Sequence, residues 1–232
     1  VYEALRGVRG VAVSYDRVYA SAAIRGLGDT NDYGNRLLLL QDGTVMNDNI
    51  LSQSFIGSDG RADLEDVDRI EIVRGPGSLV YGTGAMSGVV NLVPRAKDDE
   101  SSVHVGGGTY DNAVAHGRAG FHLNFNKAKT AGMWASVSGA RSNGISLEVE
   151  PRDASLGENV LARQVDFFRS VGTAGRVWAG PFTAQWFYHS RQQHLPTGPY
   201  FTLFNDARTF YKDERFMTEL RIEPKINEKV QL

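Results

Sequence analysis

The stretch that most constrains the fold is residues 68–95, DRIEIVRGPGSLVYGTGAMSGVVNLVPR. Ile70 and Ile72 alternate with charged residues, which is the period of two that a half-buried strand shows. The pattern stops at the Arg-Gly-Pro-Gly of residues 74–77, because proline has no N–H to donate and glycine permits positive φ. Residues 78–81 form a short turn, and the glycines after it break any continuing helix. Residues 89–93 are an apolar run, so the stretch predicts a strand, a glycine-rich turn and a second strand.

Residues 1–97 as a whole predict a compact mixed α/β unit. A short helix is expected over residues 2–9, a strand begins at Val11, and another ends at Ile24 before two glycines. Residues 37–40 form an apolar strand that turns at the Asp-Gly pair of residues 42 and 43, which is a strong hairpin signal. Residues 47–60 are a polar loop, and a helical turn over residues 64–67 leads into the strand at Ile70.

The chain changes character after residue 95. Apolar and polar residues alternate in four segments, residues 118–125, 133–138, 182–189 and 216–223, with Phe187 as the exception. Such segments, with one apolar and one polar face, are typical of the strands of a transmembrane β-barrel. A soluble sandwich shows the same alternation, usually in shorter strands.

The predicted connections favour the barrel. Short turns at residues 126–129, 180–181 and 227–228 alternate with long polar segments at residues 143–164 and 190–213. The first outer turn is expected at residues 110–112. Outer-membrane barrels have short periplasmic turns and long extracellular loops in this order. About six strands are predicted, with the start of a seventh at residues 229–232, which is too few to close a barrel.

Three motifs resemble those of one family. The RGPGSLVYGTGAMSGVVNLVPR segment resembles the signature that ends the plug domain of TonB-dependent outer-membrane receptors. Residues 23–26, Ala-Ile-Arg-Gly, and residues 40–43, Leu-Gln-Asp-Gly, resemble the two earlier plug motifs, in the expected order over about 70 residues. Ser87 stands where the family often has glycine, and Pro94 where it often has Ile or Thr.

The resemblance implies a fold class. We expect a mixed α/β plug domain over residues 1–97, followed over residues 98–232 by part of a large antiparallel transmembrane β-barrel. The chain is expected to be the front portion of a longer receptor, without its extreme N-terminus and most of its barrel. No signal peptide is recognised at Val1, so a mature or trimmed chain is expected.

The resemblance also implies a function, which is TonB-dependent uptake of a scarce, bulky ligand across the bacterial outer membrane. A ferric siderophore is the default cargo, while cobalamin, haem, other metal chelates and glycans stay open. The expected partners are TonB with its inner-membrane energy-transducing complex, the chelate ligand and outer-membrane lipid. Two alternatives remain: a receptor on the same fold that signals or adheres without transport, and a soluble β-rich binding module.

Two sets of plug residues are expected to matter. Arg25 and Arg74 match motif arginines that pair with barrel carboxylates in the family, and a buried guanidinium needs such partners. The outward plug loops are expected to contact the ligand, although solvated loop residues would look the same. The candidate ligand-binding residues are Asp29, Thr30, Asn31, Asp32, Tyr33, Asn47, Asp48 and Asn49.

Other chemistry finds little support. The glycines of residues 75–84 lack the Gly-Lys-Ser/Thr end of a phosphate-binding loop. Cysteine is absent, and the net charge of −2 gives no argument for nucleic acid. No catalytic set appears on a shared rigid element, so no enzyme, cofactor or metal site is expected. The histidines are expected to be solvated more often than metal-bound; they are His104, His116, His122, His189 and His194.

Overall fold

The computed structural model describes residues 1–28, 32–97, 99–110, 114–151, 155, 157–227 and 230–231. Residues 1–97, called the N-terminal unit below, form two small sheets with short helices. Most of the remaining chain forms one six-stranded antiparallel sheet. One face of this sheet contacts the N-terminal unit, and we call it the inner face. The opposite face is the outer face.

The N-terminal unit follows the predicted order of elements. These are α1 (Tyr2–Arg6), β1 (Val11–Tyr15), β2 (Ala20–Ile24), β3 (Leu37–Gln41), β4 (Thr44–Val45), β5 (Val67–Arg74), α2 (Ser78–Tyr81) and β6 (Gly88–Pro94). Helix α1 is shorter than expected because Gly7 follows its last residue. The predicted turn over residues 78–81 is a single turn of α-helix between two glycines. None of the helices in the described ranges has the length and apolar content needed to cross a membrane.

The strands of this unit pair in two sheets. Strands β1 and β2 form an antiparallel hairpin, and the other four have the order β4-β3-β6-β5, with β3 and β6 parallel. The pair β5–β6 joins the two ends of the glycine-rich stretch in register. Gly88 is required there, since a Cβ would lie 2.5 Å from both Ile24 Cδ1 and the Val73 carbonyl oxygen. Ser87, the departure from the family pattern, is buried and donates its hydroxyl to the Arg36 carbonyl oxygen.

The six-stranded sheet is a simple meander in the order β12-β11-β10-β9-β8-β7. Its strands are β7 (Ser102–Tyr110), β8 (Val114–Asn124), β9 (Ala131–Val149), β10 (Val160–Ala179), β11 (Phe182–His194) and β12 (Phe210–Ile222). The sheet is open, because β7 and β12 pair on one side only among the described strands. A short hairpin of β13 (Lys225–Asn227) and β14 (Val230–Gln231) follows.

The predicted alternation is confirmed most clearly on β11 and β12. On β12 every second residue is exposed and the residues between are half-buried. On β11 the inner face carries Phe187, so the exception in the sequence pattern is an aromatic residue that packs against the N-terminal unit. Trp134 and Trp178 join it in a core shared with Leu5, Ile24 and the strands of the N-terminal unit.

The long polar segments are shorter as loops than expected. Strand β9 continues to Val149 and β10 begins at Val160, while β11 continues to His194 and β12 begins at Phe210. The loops are therefore residues 150–159 and 195–209. The expectation was wrong because β9 and β10 stay paired well beyond the predicted strand, from Val165 with Ile145 to Val160 with Val149.

Candidate functional site

Arg191 on β11 is the most completely enclosed charge in the described structure. Its guanidinium donates from Nε and Nη2 to Asp213 Oδ2 on β12, at 2.8 and 2.5 Å. Nη1 donates to the Val18 carbonyl oxygen at 2.8 Å and to Gln193 Oε1 at 2.6 Å. The Asp213 carboxylate also accepts from the Tyr19 hydroxyl at 3.0 Å. A buried charge is tolerated only with such partners, so this cluster fixes the β1–β2 turn on the sheet.

A second cluster centres on Asp42 in the β3–β4 turn. Asp42 Oδ2 accepts from Arg176 Nη2 at 2.5 Å and from Arg221 Nη1 at 3.2 Å. Asp42 has φ of +52°, a conformation that Asp and Asn tolerate better than most residues. The hairpin turn therefore presents its carboxylate to two arginines of the inner face. Both arginines lie near the short-turn end of the sheet.

Two further contacts cross the same interface. Glu65 pairs with Arg118 of β8 at 3.1 Å. Asp166 of β10 pairs with Arg17 at 2.6 Å and accepts from the Tyr15 hydroxyl at 3.2 Å. A β-bulge in β10 precedes Asp166, and bulges commonly redirect a side chain in this way. Charged groups from both sides therefore meet along the whole interface.

The two motif arginines make a different set of contacts. Arg25 is exposed and has φ of +53°. Arg74 is exposed and donates from Nη1 to the Arg9 carbonyl oxygen at 2.8 Å. Neither forms an ion pair with a carboxylate within the described ranges, so their pairing with barrel carboxylates stays a prediction. Sequence analysis missed the arginines that the sheet supplies, because their positions are visible only once the strand register is known.

Tyr19 lies at the centre of an aromatic cluster between the N-terminal unit and the sheet. Its ring centroid lies 5.7 Å from that of Tyr33, 5.8 Å from Phe55 and 6.0 Å from Tyr211 of β12. Burial, with the charge of the Asp213 carboxylate, raises the pKa of the Tyr19 hydroxyl above its usual value. The hydroxyl therefore remains a protonated donor at neutral pH.

A cleft of about 540 Å³ lies between the N-terminal unit and β12. Asn47, Asp48 and Asn49 line one side, and Lys212 and Arg215 line the other. The cleft thus combines amides, carboxylates and cations with the aromatic ring of Phe55, which also lines it. Such a mixed lining suits a polar or chelated ligand better than a purely apolar one.

Hydrogen bonds hold two of these predicted residues in the loop itself. The Asn47 side chain accepts from the Leu39 amide at 2.8 Å and donates to the Leu37 and Ser52 carbonyl oxygens. The Asp48 carboxylate accepts from three backbone amides of residues 50–53 at 2.6 to 2.8 Å. Burial acts to raise the pKa of Asp48, but these hydrogen bonds outweigh it and lower the pKa below its usual range. Asn49 is exposed.

The other predicted loop is described in part. Asp29, Thr30 and Asn31 lie outside the described residues. Asp32 accepts from the Gly34 amide at 3.0 Å and pairs with Arg36 at 3.2 Å. Tyr33, with φ of +48°, packs edge-on against Tyr19. Ligand contact by any of the eight predicted residues stays a prediction.

Asp59 is a buried carboxyl group that sequence analysis missed. It is 3 % exposed, and neither carboxylate oxygen has a hydrogen-bond partner in the described structure. Burial raises its pKa to about 6, against the opposing effect of Arg191. The sequence gives no sign that Asp59 is buried, because residues 47–60 predict a polar loop.

The histidines differ from expectation. His122, His189 and His194 are buried rather than solvated. His122 and His189 lie on inner-face positions, whereas His194 lies on the other face of β11 and contacts the loop at 195–209, with its Nε2 3.1 Å from the Asp206 carbonyl oxygen. The ring centroid of His122 lies 5.4 Å from that of Trp178. No group of three or more metal-ligating side chains occurs in the part of the chain that the structure describes.

A second open cavity, of about 910 Å³, lies among the residues of the loop at 195–209 and Pro151. Phe201 and Leu203 line it and are 83 % and 65 % exposed. Asn205 fastens the loop to β10, since its side chain accepts from the Arg163 amide and donates to the Leu161 carbonyl oxygen, both at 2.9 Å.

Comparison with known families identifies the N-terminal unit. Residues 1–89 match the model of the TonB-dependent receptor plug domain. This part of the chain is therefore similar to the plug domain of a TonB-dependent receptor. The predicted combination of a plug domain with antiparallel strands is therefore confirmed. The match ends within β6, at the glycine-rich stretch from which the prediction started.

Relatives of known sequence resemble part of this chain. An iron-regulated outer membrane virulence protein of Vibrio cholerae is 33 % identical over 112 residues, which is 45 % of this chain and 16 % of the relative. The ferrienterobactin receptor of Escherichia coli is 35 % identical over 103 residues, or 42 % of this chain and 13 % of the relative. This chain thus spans about a sixth of the length of such relatives. One relative is named as an outer membrane protein and the other as a receptor.

Solved structures share the fold. The receptor FpvA of Pseudomonas aeruginosa, bound to pyoverdine with iron, has a TM-score of 0.62 at 13 % identity and covers 95 % of this chain and 28 % of its own. The ferric yersiniabactin uptake receptor FyuA of Yersinia pestis has a TM-score of 0.54 at 16 % identity and covers 82 % of this chain and 28 % of its own. At these identities the likeness shows the fold of the plug and its strands alone.

Proposed function

We propose that the receptor takes up a ferric siderophore across the outer membrane, driven by TonB and its inner-membrane complex. The observation that carries this proposal is the attachment of the plug to the inner face of the sheet. Arg176 and Arg118 form ion pairs with Asp42 and Glu65 of the plug, and Arg191 donates to the Val18 carbonyl oxygen. A plug held in this way covers the inner face of the sheet. The names of the relatives, which include a ferrienterobactin receptor and a ferric yersiniabactin uptake receptor, support an iron chelate as cargo.

The chemistry of the interface suits a plug that moves. Hydrogen bonds and ion pairs contribute little net free energy when water can replace them, about 0.5 to 1.5 kcal/mol for each hydrogen bond. Around Asp42 and Arg191 the plug is attached mainly by such bonds. A pull on the plug would exchange these bonds for water, and would also have to separate the plug from Trp134, Trp178 and Phe187 of the shared core.

The proposed ligand surface joins the plug loops to the sheet. We assign contact to Tyr33 and Asn49, together with Asp29, Thr30 and Asn31. Asn47 and Asp48 support the loop through its backbone, as their hydrogen bonds suggest. The cleft lining is mixed in charge, because Arg215 stands there beside Asp48 and Asp213.

Several coarser assignments belong to the same proposal. The plug ends near residue 97, between the end of β6 at Pro94 and the start of β7 at Ser102. Arg25 and Arg74 hold the plug through carboxylates of other barrel strands. The receptor is no enzyme and binds no nucleic acid, and its partners are TonB, the chelate and outer-membrane lipid.

The test uses the full-length receptor in a strain deleted for its gene. We expect outer-membrane fractionation and uptake of at least one iron-55 siderophore complex, and loss of that uptake when tonB is also deleted. Binding without TonB-dependent accumulation would favour a signalling or adhesion receptor. A product in the soluble fraction would favour a β-rich binding module and would overturn the proposal.

A matched pair of variants tests the ligand surface. Asn49→Ala removes an exposed amide from the proposed surface, and Asn126→Ala removes one from the short β8–β9 turn. We expect weaker binding of the transported complex for the first and unchanged binding for the second. Equal affinities for both variants would exclude Asn49 from the site.

A further inference from the structure

The outer face of the six-stranded sheet carries an apolar groove of about 500 Å³ over β7, β8 and β9. Val103, Val105, Ala119, Phe121 and Val137 line it. Val103 and Val105 are 76 % and 82 % exposed, so no part of the described chain covers them. In a transmembrane β-barrel, the outer face of the strands contacts the acyl chains of the lipids.

The groove continues toward the long-loop end of the sheet. One row beyond Val105 and Val137, three glycines stand side by side in register, Gly107 with Gly117 and Gly117 with Gly139. Because glycine has no side chain, this row forms a shallow trough on the outer face, which continues to the next row of residues. A Cβ on Gly117 would meet no atom within 4 Å, which shows that the space above it is empty.

The trough ends at two arginines that face each other. Arg141 of β9 pairs directly with Arg169 of β10 in the register, and both side chains are exposed on the outer face. Like charges placed directly opposite on neighbouring strands destabilise a sheet. Arg169 donates from Nε to Gln192 Oε1 at 2.8 Å, and the Arg141 guanidinium lies 5.9 Å from the ring centroid of Phe167. Neither arginine forms an ion pair with a carboxylate in the described ranges.

We propose that the groove and the arginine pair bind a phosphate-bearing membrane lipid, with an acyl chain in the groove and a phosphate between Arg141 and Arg169. A phosphate would neutralise the opposed charges through bidentate hydrogen bonds, which guanidinium groups form readily with phosphate. Val137 lies four residues below Arg141 on β9, roughly 13 Å along the strand, a distance that an acyl chain spans. The proposal rests on the proposed function only in placing this sheet in the outer membrane.

The register favours a lipid over a protein partner. Both the apolar groove and the charges lie along the strand direction, which is how an acyl chain and its headgroup meet a membrane-spanning strand. Lys212 stands in the same row two strands away, beyond Gln192, but its charge is already paired with Glu214 at 2.8 Å, so the free positive charge is confined to Arg141 and Arg169. An attached protein would need a larger apolar area than this groove offers.

The test measures how much lipid A, a phosphorylated glycolipid, stays bound to the purified full-length receptor in detergent, by native mass spectrometry. Arg141→Gln with Arg169→Gln should weaken retention at least about tenfold, since each arginine contributes charged hydrogen bonds to the phosphate. Arg208→Gln is the matched control, because Arg208 lies in the loop at 195–209 and pairs with Asp206. It should leave retention unchanged.

A second variant tests the groove without changing charge. Gly117→Leu fills the trough, where the fold has room, and should weaken lipid A retention while leaving any binding of inorganic phosphate unchanged. Inorganic phosphate that competes fully with lipid A would reduce the site to an anion site and overturn the lipid assignment. Equal retention by the double arginine variant and the wild type would also overturn it, as would a receptor dimer formed through this face. Normal fractionation and uptake in the same variants would show that the proposed function stands independently.

Discussion

Asp42→Asn tests the interface where the plug turn meets two sheet arginines. The substitution removes the charge and keeps the shape, and asparagine tolerates the left-handed φ of +52° at this position as well as aspartate does. The turn should therefore form normally. What changes is the partner of Arg176 and Arg221.

The expected loss follows from burial. The Arg176 side chain is 8 % exposed and that of Asp42 is 20 % exposed. Breaking a buried ion pair by removing one partner costs about 3 to 5 kcal/mol. Gln185 continues to accept from Arg176 at 2.7 Å, Glu219 continues to pair with Arg221 at 2.8 Å, and solvent reaches part of the site. We therefore expect the plug to lose about 2 kcal/mol of free energy of local unfolding.

Hydrogen exchange in the full-length receptor measures this directly. A loss of about 2 kcal/mol should speed exchange of the amides in β3 and β4 about 30-fold, because each 1.4 kcal/mol is a factor of ten. Asp68→Asn is the matched control, since Asp68 is an exposed carboxylate on β5 that pairs with Arg69 alone. It should leave exchange unchanged.

A double-mutant cycle with Arg176→Gln separates the pair from its surroundings. The two changes together should cost less than the sum of the single changes, because each removes the same interaction. Exchange in Asp42→Asn within threefold of the wild type, or strictly additive losses in the cycle, would refute the argument that this ion pair holds the plug.

Three further substitutions have definite expected outcomes. Burial raises the pKa of the Asp59 carboxyl group from 3.8 to about 6, so the stability that its neutral form gives the plug is lost as pH rises from about 4 to 6. This loss is worth about 3 kcal/mol of free energy of unfolding. Asp59→Asn should abolish it, which chemical unfolding of the receptor at several pH values measures. Asn205→Ala removes two hydrogen bonds between the loop at 195–209 and β10, so limited proteolysis should cut that loop faster while the sheet stays intact. Tyr19→Phe removes the donor to Asp213 and should lower plug stability by about 1 kcal/mol, measured as faster exchange of β1 and β2 amides, with no change in β7 and β8.

The elements predicted from the strongest local sequence patterns are present in the structure. The strand, turn and strand of residues 68–95 appear as β5, α2 and β6, since proline and glycine limit the backbone wherever they stand. The hairpin at Asp42 was predicted for the same reason. The alternation on β11 and β12 also survived, because its period of two depends only on strand geometry.

The ends of the strands were predicted less well. Residues 143–164 were predicted as a polar loop, but β9 continues to Val149 and β10 begins at Val160. The short alternating run of Ile145, Leu147 and Val149 is the signal that was missed. The histidines were predicted to be solvated, because the sequence could not show that the plug covers the inner face of this sheet. His189 is therefore buried although its neighbours in the sequence are polar.

The sequence alone determined the plug, its glycine-rich turns and the two-sided strands, because each depends on neighbours along the chain. Tertiary structure decided which charges meet. Asp42 joins Arg176 and Arg221 across more than a hundred residues, and Arg191 reaches the Val18 carbonyl oxygen in the same way. Arg141 and Arg169 became a pair only through the register of β9 and β10. The sequence around a charged residue does not show which residue it pairs with, because the pairing depends on how the sheets pack and how the strands align.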